Sequence, residues 1–235
     1  MKRAKHVGIA AVSAEGAALC YRTICVEGAT VLGPHDHPQV TMHTYSLADY
    51  MRLVETEGWH EAGLLMLESA ALLERAGAEL LVCPDNTIHQ ALDLVRERSP
   101  LPWIHIAEEV AAVAASRGFK RLGLLGTRYL MEGPVYPLKL LSRRIAYEIP
   151  EGRDRERINR IIFDELVYGR FEAGSRDYLR GVIATLGERG CDAVVLGCTE
   201  IPLIISESDS PLPALDSTRL LARAALRAAT GHLAV

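Results

Sequence analysis

Two short polar turns carry the residues of this chain that are best suited to chemistry. Asp85-Asn86-Thr87 follows the apolar run ELLVCP, and Cys198-Thr199-Glu200 follows the apolar run AVVLG. A carboxyl or thiol group in such a turn can act as a general acid or base. A cysteine does so near neutral pH when hydrogen-bond donors surround it, and a strand that leads into a helix N-terminus supplies such donors. The turns therefore indicate a site centred on Cys198.

The segments around the two turns are similar to each other. ERAGAELLVCPDNTIH and GERGCDAVVLGCTEIP both run from a helix end through a glycine and an acidic residue to an apolar strand and a polar turn. In α/β proteins, ligands collect at the carboxyl ends of parallel strands. This weak internal repeat predicts two similar halves whose turns face one another.

Apolar runs alternate along the chain with amphipathic segments of helical length. The predicted strands are HVGIAAV, QVTMHTY, ELLVCP, PWIHI, RLGLLGT, RRIAYEI, AVVLGC and LPALD. The segment from Trp59 to Ala76 has apolar residues at helical spacing and ends before Gly77, which is typical of an amphipathic crossover helix. Alternating strands and helices indicate an α/β fold with mostly parallel sheets.

The predicted domain boundary lies near Ser99-Pro100, before the Pro-bounded strand at residues 101–106. The first lobe then comprises residues 1–99 and 213–235, with a helix from Ser217 to Thr230 that returns to pack on it. The second lobe comprises residues 100–212. We expect two Rossmann-like or flavodoxin-like lobes, related by a pseudo-twofold axis, with the active site in the cleft between them.

Composition limits the classes of partner and compartment. Of the 235 residues, 49% are hydrophobic and 24% are charged, which is typical of a globular protein. The net charge is -4 and basic residues are scattered, so nucleic acid is not an expected partner. No apolar run reaches the roughly 20 residues that cross a membrane. Five cysteines without a CxxC pair or an export signal favour reduced thiols in the cytoplasm.

Motifs for cofactors and metals are absent from the sequence. It has no Gly-x-Gly-x-x-Gly or P-loop motif, no lysine in a recognisable pyridoxal phosphate setting and no GxSxG nucleophile elbow. His35-Asp36-His37 lacks a third ligand at a metal-site spacing, so we predict no metal.

Together with other segments, the two turns resemble the cofactor-independent aspartate/glutamate racemase superfamily. The family pattern is Cys-Asn-Thr after one strand and Gly-Cys-Thr-Glu after the other, and the second is intact here at residues 197–200. Further similar segments, in chain order, bring the resemblance to almost the whole chain: the Ser13 loop, Gly126-Thr127-Arg128 with Met131-Glu132, Asp164-Glu165-Leu166 with Gly169, and Asp216-Ser217-Thr218.

This resemblance implies a racemase that acts on amino acids, with aspartate or glutamate as substrates and no cofactor. Inverting an α-carbon requires an acid/base group on each face, and the resemblance places Cys198 and Asp85 in these roles. Its implied partners are a small amino acid or carboxylic acid and a second copy of the chain in a homodimer. The residues expected to bind substrate are Asn86, Thr87, Thr199, Glu200, Thr127, Ser13 and His89.

Asp85 departs from the family pattern, which has a cysteine at this position. Cys83 lies two residues earlier, about 6 to 7 Å back along an extended strand. We therefore predict that Asp85, not Cys83, occupies the catalytic position. Asp85 could be the second acid/base, a contact for the substrate ammonium group, or a charge that repels a second substrate carboxylate.

Two other kinds of function fit the same residues. A single catalytic Cys198 also suits a decarboxylase or a maleate-isomerase-like enzyme of the same superfamily. A binding protein without turnover would keep the cleft and use Asp85 to hold an amine. The racemase is the leading hypothesis.

Overall fold

The computed structural model of the chain describes residues 3–231. Within this range the chain forms two compact lobes, one from residues 3–106 and 218–231 and the other from Ala107–Ser217. Residues 1–2 and 232–235, which we assigned to the first lobe, lie outside the described residues.

Strands and helices alternate through the described range. The strands are β1 (Val7–Ala11), β2 (Val40–Thr44), β3 (Leu80–Val82), β4 (Trp103–Ile104), β5 (Arg121–Leu125), β6 (Ala146–Glu148), β7 (Ala193–Leu196) and β8 (Ala214–Asp216). The α-helices are α1 (Ala14–Leu32), α2 (Leu47–Glu55), α3 (Trp59–Arg75), α4 (His89–Val95), α5 (Ile106–Ser116), α6 (Arg128–Glu132), α7 (Pro137–Leu141), α8 (Gly152–Asp164), α9 (Ala173–Glu188) and α10 (Ser217–Thr230).

Each lobe contains a four-stranded parallel sheet, and the two sheets have the same topology. The first sheet has the order β2-β1-β3-β4 and the second has the order β6-β5-β7-β8. All eight strands lie within the apolar runs predicted from the sequence. Strands β1, β3 and β7 are buried along their whole length, which explains their continuous apolar sequences. The predicted α/β class with two similar lobes is confirmed.

The lobes divide at a different place from the one expected near Ser99-Pro100. Strand β4 pairs with β3 through Leu81 and Trp103, so residues 100–106 complete the first sheet. Strand β8 pairs with β7, so residues 213–216 belong to the second. The division accordingly falls after Ile106 and after Ser217, because a strand belongs to the sheet whose backbone hydrogen bonds it completes.

The core of the first lobe joins its sheet to helices from both ends of the chain. Val7 and Ile9 of β1 pack with Ile24 of α1 and with Leu221 and Ala225 of α10. All five side chains are fully buried. Burial of each large aliphatic side chain contributes about 1.5–3 kcal/mol, so α10 is an integral part of the first lobe.

The second lobe has a core that reaches the Cys198 turn. Ile158 and Ile162 of α8, Leu179 of α9 and Leu196 of β7 belong to one cluster, and Cys198 belongs to the same cluster. Cys198 therefore packs against the hydrophobic core of the second lobe.

Candidate active site

The two polar turns occupy equivalent positions in the two sheets. The Asp85 turn follows β3, which lies beside β1, and the Cys198 turn follows β7, which lies beside β5. In each sheet the strand order reverses between these two neighbours, and open α/β sheets bind ligands outside the strand ends at such a switch point. The topology thus gives both turns a position suited to ligand binding in their own lobe.

The acidic residues just before β3 and β7 make the same kind of contact in the two lobes. The Glu79 carboxylate accepts a hydrogen bond of 2.9 Å from the backbone N–H just before β1. The Asp192 carboxylate accepts one of 3.2 Å from the first backbone N–H of β5. Asp85 comes six residues after Glu79, and Cys198 comes six residues after Asp192. An ungapped superposition of the repeats therefore aligns Asp85 with Cys198.

In the second lobe, Cys198 is buried beside a carboxylate. Its Sγ donates a hydrogen bond of 2.9 Å to Oε2 of Glu200. The Thr199 hydroxyl donates to the same oxygen at 3.0 Å. Glu200 is only 3% exposed and Cys198 is 7% exposed. The carboxylate therefore lies within hydrogen-bonding reach of the thiol, whose deprotonated form is the reactive form of cysteine.

Two glycines near Cys198 allow the backbone to pack closely against Leu125 and Leu130. A Cβ on Gly197 would lie 2.5 Å from Leu130 Cδ2 and 2.9 Å from the Leu125 carbonyl oxygen. A Cβ on Gly126 would lie 2.6 Å from the same Leu130 atom. Only glycine fits at these two positions without a shift, and the close approach fixes the path of the chain into Cys198.

The two turns lead into different kinds of helix. A three-residue 3-10 helix, Ile201–Leu203, follows Cys198, and the seven-residue α4 follows Asp85. The α-helix N-terminus expected after Cys198 is therefore replaced by a 3-10 helix. The Glu200 carboxylate stands beside the thiol instead.

Ser13 and Thr127 begin the helices that follow the first strand of each sheet. The Ser13 hydroxyl accepts a hydrogen bond of 3.3 Å from Gly16 N, and the Thr127 hydroxyl accepts one of 3.2 Å from Leu130 N. Both are buried N-cap residues. Their structural role is helix capping, and each lies at the switch point of its sheet, where we predicted substrate contacts.

Local hydrogen bonds to backbone N–H groups hold the first-lobe turn in place. Asp85 Oδ1 accepts a hydrogen bond of 3.0 Å from Ile88 N, and the Asn86 carbonyl accepts one of 3.2 Å from His89 N. Asp85 and Thr87 are half-buried and Asn86 is buried. The Asp85 carboxyl group is thereby fixed at the start of α4 while part of it remains accessible.

Cys83 lies behind this turn with no exposed surface. Burial, followed by the nearby Asp85 charge, raises the pKa of the Cys83 thiol well above its ordinary value. A thiol in this state stays protonated at neutral pH and is a poor base. Its position and chemistry both favour Asp85 as the reactive group of the first lobe.

His89 lies beneath the first-lobe turn and has no exposed surface. Its Nε2 donates a hydrogen bond of 3.0 Å to the Cys83 carbonyl, and its ring packs edge-on against His105 at a centroid distance of 4.4 Å. Burial and then His105 lower the pKa of His89 well below its ordinary value. This neutral ring supports the turn from behind, which favours an orienting role over the predicted substrate contact.

Sequence reasoning missed two of these features. It assigned Glu200 to substrate binding and did not anticipate its hydrogen bond to Cys198, although the spacing of two residues was visible. It also missed His105, whose Nε2 lies 3.4 Å from Asp93 Oδ1 behind His89, because no motif contains this residue.

Residues 3–231 contain neither a metal-site cluster nor a membrane-spanning helix. No group of three or more His, Cys, Asp or Glu side chains in that range could hold a metal ion. The helices there are too short or too polar to span a bilayer.

Comparison with known proteins identifies relatives of this fold and site. The family model described as Asp/Glu/Hydantoin racemase matches residues 9–225. A candidate Asp/Glu racemase from Yersinia pestis, known from its crystal structure, is 33% identical, with a TM-score of 0.86 over 96% of this chain and 99% of that chain. An aspartate racemase homologue from Pyrococcus horikoshii is 27% identical, with a TM-score of 0.82 over 98% of this chain and 100% of that chain.

A relative of known sequence extends the comparison. The broad specificity amino-acid racemase of Bacillus subtilis is 22% identical over 161 residues, which is 67% of this chain and 68% of that protein. Because the family model spans most of the sequence and the folds agree along nearly the whole chain, this protein belongs to the Asp/Glu/hydantoin racemase family.

Proposed function

We propose that this protein is a cofactor-independent amino-acid racemase in which Cys198 and Asp85 serve the two faces of the substrate α-carbon. The observation that carries the proposal is the buried hydrogen bond of 2.9 Å from the Cys198 thiol to Glu200. It supplies a proton acceptor for the thiol, and a cysteine needs one to act as a base.

The proposed reaction moves two protons and leaves nothing else changed. In one direction, the Cys198 thiolate takes the α-proton and becomes a thiol, while the Asp85 carboxylic acid gives its proton to the opposite face and becomes a carboxylate. The other enantiomer reacts in reverse, with Asp85 as base and the Cys198 thiol as acid. Proton exchange with solvent then restores the starting state of each group.

Charge develops on the substrate carboxylate when the α-proton leaves. Donors aimed at that charge usually supply a large part of the rate enhancement. The buried side chains of Asn86 and Thr199 stand beside the two reactive groups in sequence. We propose that they, with backbone N–H groups of the two turns, stabilise the enolate-like intermediate.

The proposed substrate is an amino acid. The family description includes aspartate, glutamate and hydantoins, and the related B. subtilis enzyme is described as having broad specificity. When Asp85 is ionised, its negative charge would disfavour a second substrate carboxylate. We therefore place neutral amino acids beside aspartate and glutamate in the substrate class.

A cytoplasmic homodimer completes the proposal, and light scattering of the purified protein tests the dimer.

Solvent exchange at the α-carbon tests this proposal directly. The protein is incubated in deuterium oxide with single enantiomers of aspartate, glutamate and neutral amino acids, without added cofactor. NMR follows α-proton exchange, and chiral chromatography follows inversion. Exchange with inversion that is lost in Cys198→Ala and in Asp85→Asn supports two-base racemisation.

Matched controls separate chemistry from folding. Cys191→Ala removes another buried thiol of the second lobe and should leave the exchange rate unchanged. Primary isotope effects with α-deuterated L and D substrates should differ, because each enantiomer gives its proton to a different base. The ratio kcat/KM must nevertheless be equal in both directions, since the equilibrium constant of racemisation is one. No exchange with any amino acid would overturn the proposal and direct attention to malonates and maleate.

A further inference from the structure

A cavity of about 360 Å³ lies in the second lobe between α8 and the start of α9. This volume is near the lower end of the range for small-molecule sites. The charged side chains that line it are three arginines and three acids, namely Arg153, Arg157, Arg160, Glu156, Asp164 and Glu165.

The charged side chains that line the cavity lie on a different face of α8 from the residues that contact α6. On one face of the helix, Arg155 Nε bonds Glu132 at 2.8 Å, and Asn159 Oδ1 accepts from Arg128 N at 2.9 Å. That face contacts α6, the helix that begins after Thr127. The cavity arginines and Asp164 recur at the spacing of a single stripe on the other side of the helix. The charged lining of the cavity therefore faces away from α6, and Ile161 at its edge belongs to the same apolar cluster as Cys198.

The three cavity arginines form no ion pair with the acidic side chains of residues 3–231. Among residues 3–231, no ion pair within 4 Å involves Arg153, Arg157 or Arg160. The Arg157 guanidinium packs over the Tyr178 ring, 3.8 Å from its centroid. The Tyr178 hydroxyl in turn donates to Asp154 at 2.5 Å. This contact restrains the Arg157 side chain on the Tyr178 ring. Arg157 would therefore lose less conformational entropy when it binds an anion.

The acidic end of the cavity is also fixed. Glu165 Oε2 accepts a hydrogen bond of 2.6 Å from the hydroxyl of Ser175, a buried residue in the first turn of α9. Asp164 precedes it and lies one helical turn, about 6 Å, beyond Arg160. Cationic and anionic side chains are therefore presented to one cavity within the reach of a small ligand.

We infer that this cavity binds a small zwitterion of the amino-acid class on the face of α8 that is turned away from α6. Three guanidiniums face the ligand carboxylate, and Asp164 and Glu165 face its ammonium group. A polyanion would meet three carboxylates and a polycation would meet three guanidiniums, so a ligand with one charge of each sign matches the lining best. The substrates or products of the proposed racemase belong to this class, but binding here does not depend on that activity.

Isotope-edited NMR of the full chain tests the inference. The Cys198→Ala protein is titrated with glycine and with L-alanine, and acetate, methylamine and inorganic phosphate serve as probes of one charge sign. Glycine and alanine should shift amide resonances of residues 153–165 and 173–178, and the single-charge probes should do so at least ten-fold more weakly. The Arg157→Gln/Arg160→Gln protein should lose these shifts.

Arg143→Gln is the matched control, because Arg143 is an exposed arginine of the same lobe outside the cavity. It should retain the shifts. Equal or stronger binding of phosphate or acetate would overturn the zwitterion assignment. Shifts confined to the turns at residues 85–89 and 198–200, or no shifts at all, would overturn the site itself. The exchange assay in deuterium oxide reports on the racemase independently, so the two ideas can fail separately.

Discussion

The Cys198 thiol and the Glu200 carboxylate form a buried pair, with 2.9 Å between Sγ and Oε2. The Thr199 hydroxyl donates to the same oxygen at 3.0 Å and fixes its orientation. The Glu200 carboxylate is thereby positioned to exchange a proton with the thiol.

Replacing the carboxylate by an amide should remove this proton acceptor. We expect Glu200→Gln to fold normally and to lower kcat for α-proton exchange by about 100-fold or more, within the usual contribution of a general base. Glu207→Gln changes an exposed acid a few residues later and should have no effect. A Glu200→Gln protein with the wild-type exchange rate would contradict a role for the pair.

The close backbone packing before Cys198 makes a second prediction. In Gly197→Ala, the new Cβ would lie 2.9 Å from the Leu125 carbonyl oxygen, so the strand end must move. We expect a loss of about 1–3 kcal/mol in the free energy of unfolding and a reduced exchange rate. Gly181→Ala, on an open face of α9, should instead raise stability by up to about 1 kcal/mol. Urea unfolding of both variants makes the comparison, and equal stabilities would contradict it.

His89 should make folding stability depend on pH. Burial lowers its folded-state pKa well below the ordinary 6.5, so below pH 6.5 the unfolded chain binds a proton at this residue and the folded chain does not. The free energy of unfolding therefore falls as pH decreases from 6.5 to the folded pKa, by up to about 1.4 kcal/mol per unit. Above pH 6.5 this contribution is constant.

Urea unfolding at pH 7.5 and pH 5.5 measures this effect. His89→Asn should be less stable than wild type at pH 7.5, by about 1–3 kcal/mol, because the Cys83 carbonyl loses its buried donor. The difference should shrink at pH 5.5, where only wild type carries the proton-linked loss. His60→Asn, which changes an exposed histidine, should leave the pH dependence unaltered. Parallel losses in wild type and His89→Asn would show that another group is responsible.

The two candidates for the first-lobe acid/base can be separated by substitution. Cys83 is fully buried and its pKa is raised, so Cys83→Ala should keep the exchange rate within about three-fold while losing about 1 kcal/mol of stability. Asp85→Asn should lower the rate by about 100-fold or more. The reverse pattern in the solvent-exchange assay would reassign the catalytic position to Cys83.

The sequence by itself determined the class of fold and the position of the Cys198 turn. Each strand lies in an apolar run, because a parallel strand covered on both faces has few polar positions. Helix α3 ends at Arg75, and Gly77 has a φ of +94°, as its glycine indicated. Local signals of this kind depend on burial and backbone dihedral angles, which neighbouring residues along the chain express directly.

Only the tertiary structure decided which sheet β4 completes, what the Cys198 thiol touches and where His89 points. The hydrogen bonds of β4 to β3 override the proline-bounded boundary near Ser99. The Glu200 contact and the cavity between α8 and α9 likewise depend on how turns and helices pack. The physical reason is that strand pairing and side-chain contacts join residues through space, whereas sequence periodicity reports only which face of an element is buried.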